Sequence, residues 1–162
     1  EISNAEFSNN NYGVELNNGS TAIIENVSFA STTNESLSAY NGSRIIVASS
    51  TIINTIEGDA IGVYNSTLYM SSTTINSVGD GNGIGVYNSI VSIASSTINN
   101  IIDGDGIGSY DSIVSISNSA VNNILDGDGI GLYNSTTTMS NVIIENVSGE
   151  GIAVYGGSVE GE

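Results

Sequence analysis

An all-β parallel solenoid is the fold class this sequence predicts, on three observations. A tyrosine-bearing phrase returns at Tyr40, Tyr64, Tyr87, Tyr110, Tyr133 and Tyr155, at spacings of 24, 23, 23, 23 and 22 residues. Within each copy, apolar residues alternate with small polar ones in runs too short and too β-branched for helices. Asn, Ser, Gly and Asp, the residues that close tight turns, separate those runs. A unit of about 23 residues with three short strands cannot bury its own apolar side, so successive copies must stack around one continuous core.

The copy GIGVYNSIVSIASSTINNIIDGD at 83–105 shows the elements in order. Ile84 and Val86 alternate with Gly85 and Tyr87 in a first strand, and Asn88 and Ser89 turn the chain. Val91 and Ile93 make a second strand, Ile98 and Ile101 a third, and the acidic phrase closes the coil. Strands stacked about 4.8 Å apart place Ile61, Ile84, Ile107, Ile130 and Ile152 in one inward ladder. Met70, Ile93, Ile116 and Met139 form another. With an earlier copy from Gly13 that carries Asn17 in the tyrosine column, about seven coils fill residues 1–162 as one domain, a rod roughly 30–35 Å long.

Composition excludes several functions. Seventeen acidic residues face a single basic one, Arg44, for a formal charge of −16. No nucleic-acid partner is expected, because phosphate binding needs a cationic footprint. No membrane insertion is expected either, since no apolar run approaches the roughly 20 residues of a span. Cys and His are absent, which removes disulfides, thiolate nucleophiles and the usual zinc ligands. At 39% apolar residues, rich in Ile and Val, the chain is too hydrophobic to be disordered.

The recurring phrase G-I-x-x-Y-N-S, then V-x-I, then S-x-x-I-x-N, resembles the parallel β-helix repeats of the pectate-lyase-like superfamily over nearly the whole chain. The resemblance implies a right-handed, single-stranded parallel β-helix. It implies little about activity, because that scaffold carries lyases, hydrolases, epimerases, tailspikes and adhesins. Lyases of the superfamily are implied to use an Arg or Lys base with calcium, and hydrolases clustered Asp beside cationic or imidazole partners. This chain has neither set, so no catalytic residue is assigned, and Arg44 reads as a solvated surface side chain.

Two columns are candidate binding sites. Tyr64, Tyr87, Tyr110, Tyr133 and Tyr155 should face outward beside a bare column at Gly62, Gly85, Gly108 and Gly131. That row is read either as a carbohydrate-stacking platform or as a tyrosine ladder that stabilises the solenoid. Asp80, Asp103, Asp105, Asp126 and Asp128, together with Glu57, Asp59 and Glu150, occupy one recurring bend and should stack into an outward acidic strip. Calcium would offset their mutual repulsion. Against an EF-hand loop, the twelfth residue counted from Asp103 is Val114 and from Asp126 is Thr137, so the bidentate Glu is missing. Asp-Gly also simply makes a tight turn, so no cofactor is required.

Asn18, Asn41, Asn65, Asn88 and Asn134 follow the tyrosines, interrupted by Asp111 and Gly156. They should take a left-handed backbone and bond to one another as a structural ladder. Neither terminus carries a recognisable polar cap, so the expected partners are flanking coils of the same polypeptide or a second copy stacked end to end, with glycans as further candidates. The function expected from all this is a non-catalytic extracellular or cell-surface structural or adhesive rod. A carbohydrate-binding or carbohydrate-active β-helix using the Tyr/Gly strand face is the alternative.

Overall fold

A computed structural model describes residues 1–161. Alternating apolar residues turn one side of each short strand inward, and parallel pairing with the next coil satisfies the backbone, so the chain winds into a parallel β-solenoid of about seven coils. No helix occurs among the described residues, hence none long and apolar enough to cross a membrane.

Each coil has three faces. In one coil the first face is Ile84–Tyr87, the second Ile90–Ala94 and the third Thr97–Asp103. Each pairs in parallel with its equivalent one coil away, as in Ile61↔Ile84 and Ile84↔Ile107. Register changes are confined to the bends. Arg44, Thr67 and Ile90 pair at steps of 23, whereas Leu37 pairs with Ile61 at 24 and Ile130 with Ile152 at 22.

The inward ladders form one core. Ile61, Ile84, Ile107 and Ile130 are completely buried, as are Ile45, Leu68 and Val78, with Met70, Ile93 and Ile116 almost so. Ile152 and Met139 are partly covered and pack against the same core. Phe29 fills the N-terminal part and stacks on Phe7 with centroids 5.0 Å apart. Each buried branched side chain contributes roughly 1.5–3 kcal/mol, and stacking identical shapes keeps the contacts close-packed.

The third face explains why Ile98 and Ile101 break the two-residue period. Asn100 between them has φ 57°, and the equivalent Asn54, Ser77, Asn123 and Asn146 also lie in the left-handed region. Such a residue reverses the pleat, so both flanking isoleucines turn inward. The register skips that position, pairing Asn76↔Asn99 and then Val78↔Ile101.

Left-handed residues mark the first two bends as well. Asn18, Asn41, Asn65, Asn88, Asp111 and Asn134 have φ between 49° and 57°, as the asparagine column predicts. Asn88 Nδ2 donates to Asn65 Oδ1 at 2.7 Å. Beneath them runs a buried serine column. Ser66 N donates to Ser89 Oγ at 2.9 Å and Ser89 N to Ser112 Oγ at 2.9 Å, while Ser89 Oγ donates to Tyr87 O at 2.7 Å. Ser50, Thr73, Ser96 and Ser119 repeat the device at the second bend. Bend amides that no strand can reach are thereby satisfied by a side chain from the neighbouring coil.

Candidate functional site

The third bend and the first face meet along one edge of the rod, and both candidate columns lie there. Sequence reasoning places all the acids in one outward strip; the structure divides them. Glu57, Asp80 and Asp103 pair in register as an exposed outer column, and Asp126 continues it one coil on. Asp59, Asn82, Asp105 and Asp128 form an inner column. Asp59 and Asp128 are buried, and Asn82 and Asp105 half-buried.

Backbone geometry makes the division. Gly81, Gly104 and Gly127 have φ of 129°, 133° and 145°, a conformation closed to other residues. A Cβ on Gly104 would also sit 2.5 Å from the carbonyl oxygen of Gly81 in the coil below. That tight passage throws the next side chain inward, where its oxygen accepts the amide of the equivalent residue one coil ahead. Asp59 Oδ1 accepts from Asn82 N at 2.8 Å and Asn82 Oδ1 from Asp105 N at 2.9 Å. Asp105 Oδ1 accepts from Asp128 N at 2.8 Å, and Asp128 Oδ1 from Glu150 N at 2.9 Å.

These acids do not converge on a common point: among the described residues, no three Asp or Glu side chains come close enough to share a metal ion. Of the five candidate metal ligands, Asp80, Asp103 and Asp126 are exposed, whereas Asp105 and Asp128 are turned to backbone amides. Burial pushes Asp59 up to about 6, against the opposing pull of the Asn82 donors. Asp105 is raised for the same first reason.

The glycine column is not bare, which corrects the groove expected beside the tyrosines. Gly62, Gly85, Gly108 and Gly131 are buried. A Cβ on Gly85 would land on Asp59 Oδ2 and lie 2.9 Å from Tyr87 Cε2. One on Gly108 would lie 2.9 Å from Asn82 Oδ1, and one on Gly131 would meet Asp105 Oδ2. The glycines are the space into which the inner column folds. The constant 26-residue step from Asp59 to Gly85, Asn82 to Gly108 and Asp105 to Gly131 is the sequence signal of this pairing. It also identifies Asn82, missed among the acids, as a member of the column.

Tyrosine rings close the lid. Tyr40, Tyr64, Tyr87, Tyr110, Tyr133 and Tyr155 stack face to face, with centroids 4.6–5.1 Å apart and interplanar angles of 3–14°. Each inner ring therefore has both faces covered by its neighbours and offers only an edge to solvent. Burial raises the Tyr64 and Tyr87 hydroxyls well above the usual phenol range, and the nearby Asp59 carboxylate adds to the rise. Tyr110 and Tyr133 shift the same way, by burial first and then by Asp105.

Arg44 lies elsewhere, on the second face. Its guanidinium sits 4.8 Å from the ring centroid of Tyr69 in the next coil, so the lone cation is exposed yet held over an aromatic face. No family model, curated protein or solved structure matches this chain.

Proposed function

We propose that this chain is a non-catalytic structural or adhesive segment of an extracellular or cell-surface rod, wound right-handed as in the pectate-lyase-like superfamily it resembles. One observation carries the reading. The tyrosines and the inner acidic column are engaged by their own equivalents in adjacent coils, and the outer acids Asp80, Asp103 and Asp126 stand apart from them in exposed positions. Tyrosine faces meet tyrosine faces, and Asp59, Asn82, Asp105 and Asp128 accept backbone amides. A catalytic pair of carboxylates needs two dissimilar environments around a reacting atom, and this column repeats one environment.

Continuity along the axis rests on the repeat itself. Each coil pairs in parallel and in register with the next, and flanking coils of the same polypeptide or a second copy would extend the rod by the same pairing. No bound cofactor enters this reading.

Glycan arrays, turnover assays on acidic polysaccharides and electron micrographs of the full chain test it. The expected result is no glycan bound, no substrate turned over, and elongated particles. Micromolar glycan binding that disappears in Tyr87→Ala and Tyr110→Ala would transfer the function to the tyrosine edge. Turnover of a polysaccharide would overturn the non-catalytic reading outright.

A further inference from the structure

The acids are distributed unevenly around the coil. They concentrate at the third bend, and the second face lies across the coil from it. Five successive second-face segments, Arg44–Ala48, Thr67–Ser71, Ile90–Ala94, Ile113–Ser117 and 136–140, contain no Asp or Glu. Their single charge is Arg44. Outward from this face stand Tyr69, Ile90 and Ile113, at 42%, 53% and 58% exposure, among Thr, Ser and Ala. The third face also exposes aliphatic side chains, including Ile56, Ile102 and Leu125, but these run beside the outer acids Glu57, Asp103 and Asp126.

We propose that the second face is a lateral interface with a second copy of this chain, so that rods pair side by side. The charge pattern selects the occupant. With a net charge of −16, two copies repel through most orientations. This face is where they approach with the fewest opposing carboxylates, Glu25 and Glu160 standing on the bounding strands and Asp111 at the neighbouring bend. A two-fold axis through the face brings the same patch of both copies together, with Ile90 and Ile113, the exposed first residues of two adjacent strands, along its edge beside the first bend. Five strands of five residues cover roughly 400 Å² per copy by strand spacing and rise. The total of roughly 800 Å² falls below the 1,200–2,000 Å² range of stable complexes, so the association is weak and reversible. This goes beyond the axial continuity proposed above and does not depend on it.

Sedimentation velocity on the full chain, from about 10 μM to about 1 mM, tests the pairing. The expected result is a weight-average coefficient that rises toward a dimer, and rises further in high salt, because salt screens the repulsion while the apolar contact persists. Ile90→Asp combined with Ile113→Asp should weaken association at least ten-fold; both side chains are exposed, and circular dichroism checks the fold. The protein has no cysteine, so a single engineered thiol reports contacts cleanly. Ser92→Cys, at the middle of the face, should form oxidised dimers at least ten-fold faster than Thr74→Cys on the third face. A chain that stays monomeric at about 1 mM in high salt, or equal cross-linking at both positions, overturns the lateral interface. Association that is insensitive to Ile90→Asp and Ile113→Asp, with filaments in micrographs, overturns it too and leaves the axial reading standing.

Discussion

Asp59 Oδ1 accepts two hydrogen bonds from one residue of the next coil, the backbone amide of Asn82 at 2.8 Å and its side-chain Nδ2 at 2.9 Å. The carboxylate therefore acts as a fixed acceptor for backbone, a role in which its charge is not needed. Asn82 performs the same role for Asp105 without a charge.

Stability should therefore rise on mild acidification. Asp59 is raised from 3.8 to about 6, so between those values the folded state binds a proton that the unfolded chain has released. Stability is greatest below the unfolded value and falls as pH rises through the folded one, by about 3 kcal/mol for a shift of this size. Asp105 acts in the same direction. Chemical denaturation at pH 4.5 to 7.5 checks this, and Asp59→Asn should raise stability at neutral pH while flattening the slope. An unchanged slope would assign the pH dependence to the general repulsion among the acids.

Alkaline titration should find hidden phenols. Tyr64 and Tyr87 are raised by burial first and by Asp59 next, so the folded rings stay protonated where free tyrosine ionises near pH 10. Because the unfolded chain then binds fewer protons, stability declines above about pH 10. Absorbance at 295 nm should show a tyrosinate fraction that appears only together with loss of β circular dichroism. Smooth ionisation of all eight tyrosines in the folded protein would contradict the stacked, covered ladder.

Two buried hydroxyls should respond oppositely to removal. Thr137 Oγ1 is buried without a hydrogen-bond partner, in register with Val114 and Val159. Thr137→Val should therefore stabilise the protein by about 1 kcal/mol or more. Ser89 Oγ accepts the amide of Ser66 and donates to the carbonyl of Tyr87, which also accepts the Asn65 amide, so Ser89→Ala strands the buried Ser66 amide and should cost about 1–3 kcal/mol. Denaturation midpoints at constant slope measure both, and equal signs would refute the accounting.

Calcium should leave the melting midpoint where it is. Asp105 and Asp128 are held on backbone amides, while Asp80, Asp103 and Asp126 stand outward in a separate column. Melting in millimolar calcium against chelator measures this directly. A midpoint several degrees higher with calcium would show that the outer acids bind the ion.

Much of the fold is legible in the residues. The tyrosine spacing sets the coil length, and the ladders Ile61–Ile84–Ile107–Ile130 and Met70–Ile93–Ile116 turn inward as alternation requires. The left-handed backbone of Asn41, Asn65 and Asn88 follows from their place at a bend where only Asn, Asp and Gly fit easily. Less of the candidate site is legible. Asp103 and Asp105 stand two residues apart in a near-identical repeated phrase, and nothing local says that one faces water and the other folds over Gly131.

What the sequence determined alone is everything that follows from a one-dimensional repeat: strands, bends, coil length, the inward ladders and the net charge of −16. The tertiary structure decided what depends on the coil above and below. It turned the tyrosines into a closed stack, split the acids into an exposed column and a backbone-bonded one, and filled the glycine groove. The reason is distance. Residues 23 or 26 positions apart in sequence become neighbours across one strand spacing of about 4.8 Å, and only at that range do stacking and hydrogen bonding settle which way each side chain turns.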